Sequence, residues 1–299
     1  MKKIIVTGAN GFIGSNLVRF LLEKKNYEVV ALIRKSEFMP FSHKKMKIVN
    51  ADFEDYGNLN KLLPKDDYYA FVHLAWFGYG ELTNDYRTQI NNVLHACEAA
   101  EASAMIGCKK FVLADSFHEY LYNKNSADLG LASIYGSAKF STRRLCQTIC
   151  HRNEIEFNGL LISNIFGHGD FSSRTINFFI KSMIEGKDLK LVDGNDLYDW
   201  VYIDDAVEEM TLAIENGKNN SVYYIGTENP MTLREILIKC KNCLKSDSQL
   251  FFGAFNDNSF VDYTKFSFKN TFLELGYKTK YPLETAVLLH SEWIKENLK

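Results

Sequence analysis

Thr7-Gly8-Ala9-Asn10-Gly11-Phe12-Ile13-Gly14 is the most informative segment of this 299-residue chain for its fold. It follows an apolar segment that predicts a first strand, and it opens an amphipathic segment that predicts a helix from Phe12 to Glu23. The three glycines permit a tight turn and let backbone N–H groups and the positive end of the helix approach a pyrophosphate. Their spacing is G-x-x-G-x-x-G and differs from the older fingerprint G-x-G-x-x-G. A plain strand-to-helix turn is the alternative, but the position near the start of an alternating chain favours a nucleotide site, with contacts from Gly8, Asn10, Gly11, Phe12, Ile13 and Gly14.

Short apolar segments alternate with longer amphipathic ones through the first half of the chain. This alternation is typical of an α/β fold, here a Rossmann-type doubly wound parallel sheet with helices on both faces. The predicted strands cover residues 3–7, 28–33, 46–50, 70–75, 110–114 and 158–163. The predicted helices begin near Gly11, Asn58, Thr83 and Ser133.

The regular alternation ends near Asn164, which predicts a smaller second α/β domain. A helix over 174–184, a return strand over 200–203 and a further strand over 222–225 follow, without a linker rich in Pro, Gly or Ser. We therefore expect tight packing of a nucleotide-binding domain, residues 1–164 with a return segment at about 198–222, against a substrate-binding domain formed by 165–197 and 223–299.

Composition excludes several classes of function. The formal net charge is −2 and the basic residues are scattered, so we expect no nucleic-acid partner. Asn10 interrupts the first apolar run before a signal-peptide core could form, and no segment approaches the ~20 apolar residues that span a bilayer. These features predict a cytoplasmic protein without a membrane partner. Cys240 and Cys243 form a C-x-x-C, but no second ligand pair stands nearby, so we expect reduced thiols and no metal site.

The end of the second predicted strand bears on the choice of nicotinamide cofactor. No carboxylate stands at its tip, where Arg34 and Lys35 follow Ile33. Because arginine suits bidentate contact with a phosphate, these residues favour NADP(H) over NAD(H). The alternative is that two basic side chains only solvate the strand end.

Two further strand ends supply candidate cofactor contacts. Asp52 and Phe53, which come after the third strand, are both candidate contacts. The Asp52 carboxylate could reach an adenine amino group or cap a helix. The fourth strand ends in His73-Leu74-Ala75. Leu74 and Ala75 are expected to adjoin the cofactor, since the small Ala75 leaves room for it, whereas His73 is expected to be a core histidine.

Tyr135 and Lys139 are the candidate catalytic pair. They lie four residues apart in a segment with helical character, so both project from one helix face. An ammonium near a phenol lowers the pKa of the phenol, which can then exchange a proton with a carbonyl or alcohol oxygen. A second copy of the pattern, Tyr120 with Lys124, runs into a loop-like segment and cannot present both side chains from a helix. Ser116 follows the fifth strand, where its hydroxyl could hold the reacting oxygen or only cap a turn.

These motifs, in this order, resemble those of the extended short-chain dehydrogenase/reductases, the NAD-dependent epimerase/dehydratase family. Three later stretches extend the resemblance over nearly the whole chain. Residues 164–167 resemble the family's Asn-Val-Tyr-Gly turn, 199–205 its Arg-Asp-Phe-x-x-Val-Asp-Asp stretch, and 226–233 its Gly-x-x-x-x-x-Thr-Leu turn.

The resemblance implies an enzyme acting on a nucleotide-linked sugar, and two departures narrow the reaction. Dehydratases of the family carry Thr-Asp-Glu where this chain has Ser116-Phe117-His118, and its epimerases generally carry an acid at the strand tip. The chain is also similar to the 4-keto-6-deoxy-sugar reductases of the CDP-abequose and CDP-paratose synthase group. We therefore expect an NADPH-dependent 4-ketoreductase of surface-polysaccharide (lipopolysaccharide) biosynthesis. A C4 epimerase that retains NAD and a non-catalytic NADP(H)-binding regulator are the alternatives.

The resemblance also assigns roles to residues. Tyr135 would supply a proton, Ser116 would hold the oxygen, and Lys139 would bind the nicotinamide ribose. Tyr198 stands where relatives often place an arginine on the substrate pyrophosphate, and Arg174 is the candidate replacement. The substrate contacts would come from Trp76, Phe117, His118, Asn164 and Arg174. Helices beginning near Thr83 and Ser133 would form the four-helix interface of a homodimer.

Overall fold

A computed structural model describes residues 1–124, 131–173, 175–266 and 271–297 of the chain. In its first half, helices and strands alternate, with a 3₁₀ turn over Phe53–Asn58 and another over Phe117–Tyr120. The elements are β1 (Lys3–Thr7), α1 (Phe12–Glu23), β2 (Glu28–Ile33), β3 (Met46–Asn50), α2 (Leu59–Leu62), β4 (Ala70–His73), α3 (Tyr86–Met105), β5 (Lys110–Ser116), β6 (Leu121–Asn123), α4 (Ile134–Arg152) and β7 (Glu156–Ile162).

The second half is less regular and ends in a long helix. Its elements are β8 (Asn164–Phe166), α5 (Thr175–Ile184), β9 (Leu189–Lys190), β10 (Leu197–Tyr198), β11 (Trp200–Tyr202), α6 (Ile203–Asn216), β12 (Ser221–Ile225), β13 (Met231–Thr232), α7 (Leu233–Leu244), β14 (Leu250–Phe251), β15 (Ser259–Val261) and α8 (Leu283–Asn297). A short 3₁₀ turn over Tyr263–Lys265 and a π-helical turn over Thr271–Leu275 precede α8.

Seven strands form one parallel sheet in the order β12-β7-β5-β4-β1-β2-β3. The order reverses at β1, which confirms the predicted doubly wound α/β fold. Both faces are covered: Ile4 and Val6 pack in a core with α1 and α6, and Ile5 between them packs in a second core with α3 and α4. Buried apolar residues on both faces are what a fully covered parallel sheet requires.

The strands differ from the predicted ones mainly at their ends. β1, β2 and β3 have the predicted bounds, whereas β4 ends at His73 because the N–H groups of Leu74 and Ala75 donate to the Thr7 hydroxyl at 3.1 and 3.2 Å. β5 continues to Ser116 because its pairing with β7 continues to that residue.

The predicted return strand corresponds to β11, which pairs outside the main sheet. β11 pairs in parallel with β8, and the strand that joins the main sheet is β12, beside β7. β12 ends at Ile225, three residues beyond the predicted return segment. The division into two domains remains a prediction.

Two buried carboxylates tie the later segments to this framework. Asp199 accepts hydrogen bonds from the backbone N–H groups of Thr227 (2.9 Å) and Glu228 (3.2 Å) and from the Tyr224 hydroxyl (2.8 Å). Asp205 accepts from the N–H groups of residues 280 and 281 at 2.9 and 3.0 Å. These bonds give the acidic residues of the 199–205 stretch a structural role, since buried carboxylates must be satisfied.

The cysteines are free thiols. Cys240 is buried in α7 and Cys243 is partly buried, and the described residues contain no group of three or more potential metal ligands. Over the same residues, no helix combines the length and the apolar character that crossing a membrane would require.

Candidate active site

A cavity of about 870 Å³ opens at the carboxyl ends of β4, β5 and β7, the edge where open α/β sheets bind ligands. Its lining includes many of the residues that the sequence predicts for catalysis, for the cofactor or for the substrate: Ser116, Tyr135, Lys139, Ile13, Leu74, Trp76, Phe117, His118 and Asn164. Apart from Ile13, the glycine-rich stretch from Thr7 to Gly14 lies outside this lining, as do the ends of β2 and β3. The structure thus places the three predicted catalytic residues and four of the five predicted substrate contacts in one cavity.

The glycine turn has the geometry of a phosphate cradle. Gly8 has φ +63°, and a Cβ on Gly14 would lie 2.0 Å from the carbonyl oxygen of Gly8. Gly11 precedes α1 as its N-cap and offers no side chain to the first turn, which also carries no acidic residue. Backbone N–H groups at such a helix start suit a pyrophosphate, so these residues fit a dinucleotide.

The tips of β1 and β4 are joined through one hydroxyl. Thr7 Oγ1 accepts the N–H groups of Leu74 and Ala75 and lies 3.0 Å from Nδ1 of His73. Complete burial lowers the pKa of His73 to about 3, so its ring is neutral. His73 therefore has the structural role expected of it, and the bonds hold Leu74 and Ala75 beside the glycine turn.

Both basic residues after β2 face carboxylates. Arg34 pairs with Glu37, which also accepts a hydrogen bond from Asn10 in the glycine turn. Lys35 Nζ lies 2.7 Å from Asp55, and this bond raises the pKa of Lys35. Glu37 lies three residues beyond Arg34 and therefore outside the strand tip on which the cofactor prediction was based. This arrangement gives no support to a preference for NADP(H) over NAD(H).

Asp52 has the capping geometry that was one of its two predicted roles. Its carboxylate and that of Asp55 form a capping box on the turn over Phe53–Asn58, and its Oδ1 accepts the Lys35 N–H at 3.0 Å. Phe53 stacks on His95, with ring centroids 5.1 Å apart. A contact of Asp52 with adenine, and of Phe53 with the cofactor, remains a prediction.

Tyr135 and Lys139 project from the first turns of α4, which begins where Ser133 caps the Gly136 N–H at 3.0 Å. The Tyr135 ring makes edge contacts with Trp76, Tyr79 and His118, with centroids 5.8, 5.2 and 5.3 Å away. Lys139 Nζ donates to the Ala114 carbonyl at 2.9 Å and lies 3.8 Å from the centroid of the Trp76 ring. Burial lowers the pKa of Lys139 to about 8.

Ser116 and the two residues after it form a further part of the cavity wall. Ser116 Oγ accepts the His118 N–H at 3.3 Å, which leaves its own O–H able to donate into the cavity. Burial lowers the pKa of His118 to about 4, so the ring is neutral at pH 7. Phe117 is buried and has no acid–base chemistry. Tyr120 and Lys124 lie on a 3₁₀ turn and just after β6, so the second Tyr-x-x-x-Lys copy is not helical, as predicted.

Of the two remaining predicted substrate contacts, the structure describes only one. Asn164 lines the cavity, as does Tyr198. Arg174 lies outside the described residues. Tyr79, which the sequence analysis missed, lines the same cavity against Tyr135. The aromatic run that follows β4 was the signal that could have identified it.

Comparison with known proteins places the chain among proteins of one architecture. The family model for the NAD dependent epimerase/dehydratase family matches residues 4–226. CDP-abequose synthase of Salmonella muenchen is 24% identical over 294 residues, covering 96% of each chain. UDP-glucuronate 4-epimerase 2 of Arabidopsis thaliana is 22% identical, covering 97% of this chain and 75% of its own.

Solved structures agree with the fold. UDP-glucose 4-epimerase of Thermotoga maritima, solved with UDP-glucose, has a TM-score of 0.81 at 23% identity and covers 99% of this chain and 100% of its own. UDP-glucuronic acid 4-epimerase of Bacillus cereus, solved with UDP-glucuronic acid and NAD, has a TM-score of 0.78 at 23% identity and covers 98% of this chain and 99% of its own. At these identities the structural likeness establishes the fold alone.

Proposed function

The chain belongs to the NAD-dependent epimerase/dehydratase family, and from that membership we propose that it modifies a nucleotide-linked sugar as a 4-ketoreductase. The substrate would be a nucleotide-linked 4-keto-6-deoxyhexose, carried by CDP or dTDP. The observation that carries the proposal is the meeting of Ser116, Tyr135 and Lys139 in one cavity whose wall continues as Phe117 and His118. Phe117 and the neutral His118 stand where dehydratases of the family carry an acid and a base.

The chemistry assigns one task to each of the three residues. A bound nicotinamide would supply a hydride to the carbonyl carbon. The Tyr135 phenol gives its proton to the carbonyl oxygen, so that the ketone becomes an alcohol, and the Ser116 O–H donates a hydrogen bond to the same oxygen. The Lys139 ammonium stabilises the phenolate left on Tyr135 and holds the nicotinamide ribose. Asn164 would contact the phosphates of the substrate.

A panel of sugars tests this function. We expect NADPH or NADH to be oxidised with at least one CDP-, dTDP-, GDP- or UDP-linked 4-keto-6-deoxy sugar, measured as the loss of absorbance of the reduced cofactor. The matching control is the same sugar with a hydroxyl at C4, which has no carbonyl to accept a hydride. No oxidation with any keto sugar would exclude the reductase.

A C4 epimerase with retained NAD is the second candidate. The solved epimerases named above have the same fold, and Glu37 provides a carboxylate near the β2 tip through its bonds to Arg34 and Asn10. The two functions separate in one preparation, because an epimerase would be purified with cofactor bound and would interconvert C4 epimers with none added. A reductase consumes one added reduced cofactor per sugar.

The preference between cofactors depends on the pair of Arg34 and Glu37. To contact Arg34, the 2′-phosphate of NADP(H) would have to displace the Glu37 carboxylate. The proposal that NADP(H) is the preferred cofactor depends on this exchange. Glu37→Gln removes the opposing charge, so the ratio of kcat/KM for NADPH to that for NADH should rise about fivefold to tenfold. Glu292→Gln, which neutralises an exposed carboxylate on α8, should leave the ratio unchanged. An unchanged ratio in Glu37→Gln would contradict this role of the pair.

A homodimer through α3 and α4 is the proposed assembly. The exposed faces of these adjacent helices carry large apolar side chains, which soluble monomers seldom expose together. They are Tyr86, Ile90 and Leu94 on α3 and Phe140 and Leu145 on α4. Two copies packed face to face would bury them in a four-helix interface, and the native mass in solution would be twice the 34.3 kDa of one chain.

A further inference from the structure

A buried cluster of charged side chains adjoins the cavity, and one of its members, Asp115, belongs to the cavity lining. Asp115 precedes Ser116 on β5, Glu119 follows on the 3₁₀ turn, and Arg143 lies on α4 one turn after Lys139. The side chains of Asp115 and Glu119 are fully buried, and that of Arg143 is 7% exposed. Arg143 Nη2 donates to Glu119 at 2.7 Å, and its Nε lies 2.8 Å from Asp115 Oδ2.

One guanidinium does not balance two carboxylates. Nε of Arg143 donates its hydrogen to Glu119, which leaves Oδ2 of Asp115 close to the cation but without a hydrogen bond. Burial raises the pKa of both carboxyl groups. Excess negative charge in a dry interior is costly, so a second cation nearby would stabilise the two carboxylates.

Lys139 supplies that second cation. It is buried, it lies four residues before Arg143 on the same helix face, and it donates to the carbonyl of Ala114, the residue before Asp115. The other titratable groups around it are His73 on β4, which is neutral, and Tyr135 and Cys146 on α4. A hydrogen bond with Cys97, together with burial, raises the pKa of the Cys146 thiol, so it carries no charge that could support the ammonium.

We propose that Asp115 is a positioning residue of the active site: its carboxylate, oriented by Arg143, keeps the ammonium of Lys139 charged beside Tyr135. The proposal rests on the catalytic pair of the proposed function, and it is independent of which sugar is reduced. Asp115 Oδ1 also accepts the N–H of Ser116 at 2.9 Å, so the same side chain orients the backbone that carries the Ser116 hydroxyl.

The direction of the effect follows from the charges. Burial lowers the pKa of Lys139 to about 8, and the negative charge of Asp115 opposes that decrease. In Asp115→Asn the opposing charge is gone, so the ammonium is lost at a lower pH. The alkaline limb of the pH profile of kcat/KM should therefore move down by about one pH unit. Glu119→Gln should move it the same way by less, because Asp115 is the stronger electrostatic influence on Lys139.

The control separates this role from a loss of stability. Asp205 is another buried carboxylate with several hydrogen bonds, and it lies outside the lining of the cavity. Asp205→Asn should lower the melting temperature and leave the alkaline limb where it is. A folded Asp115→Asn protein whose alkaline limb coincides with that of the wild type would overturn the proposal. If Asp115→Asn does not fold, an unmoved limb in Glu119→Gln overturns it.

A second measurement needs no sugar. Because an ammonium donates stronger hydrogen bonds than a neutral amine, NADH affinity should fall as pH rises through the pKa of Lys139. In Asp115→Asn this fall should begin about one pH unit lower. If the protein reduces no sugar but the fall moves as expected, the proposed function fails and the role of Asp115 stands. If the fall does not move, the role of Asp115 is wrong.

Discussion

Replacing Tyr135 with phenylalanine is expected to lower kcat by about 10²- to 10⁴-fold, the usual contribution of a positioned proton donor. The phenyl ring keeps the edge contacts with Trp76, Tyr79 and His118, so the packing of the cavity wall should survive. The dissociation constant of NADH should change little, because Lys139 keeps its bond to the Ala114 carbonyl. Steady-state kinetics with the sugar selected in the panel, together with cofactor titration, would measure both effects.

The chain contains a matched control for this substitution. Tyr120 begins the second Tyr-x-x-x-Lys copy, and its ring packs at 4.8 Å against Phe266. Tyr120→Phe removes the same hydroxyl from the same pattern and should retain full activity. A wild-type kcat in Tyr135→Phe would show that another group donates the proton. If the biological effect of the protein also survived in Tyr135→Phe, the non-catalytic regulator would become the better description.

Gly14→Ala is expected to abolish productive cofactor binding. The added Cβ would lie 2.0 Å from the carbonyl oxygen of Gly8 and 2.9 Å from its carbonyl carbon, and both are backbone atoms. The turn can accept the methyl group only by moving away from α1, which displaces the N–H groups that would face the pyrophosphate. A displacement of about 1 Å can cost about 10²-fold, so we expect NADH affinity to fall by at least about 100-fold.

The stability of this variant should fall as well. Forcing a methyl group into a packed turn typically costs about 1–3 kcal/mol, which thermal denaturation would detect. Gly57→Ala is the control, because the nearest atom to its Cβ would be a carboxylate oxygen of the Glu98 side chain at 3.1 Å, which can move. Wild-type NADH affinity in a folded Gly14→Ala protein would show that the close approach of turn and helix is unimportant for binding.

Much of the fold could be predicted because its signals are local. Hydrophobic periodicity gave the bounds of β1, β2 and β3, and serine and glycine placed the starts of α4 and α1 within a residue. Strand ends were less accurate, because they depend on pairing partners: β4 stops early where Thr7 takes the next two N–H groups. The pairing of β11 with β8 was missed for the same reason.

The doubly wound sheet, the glycine turn and the helix that carries Tyr135 and Lys139 could be predicted from the chain alone, since backbone geometry and helical spacing are encoded in neighbouring residues. The pairing of the charges became visible only in the folded protein. Glu37 forms an ion pair with Arg34. Asp115 and Glu119 pair with Arg143, which lies one helical turn after Lys139. The partners of that cluster come from β5, a 3₁₀ turn and α4, which only the packed sheet brings within a few ångströms. Coulomb energies depend on those distances and on burial, and neither can be read from a linear pattern.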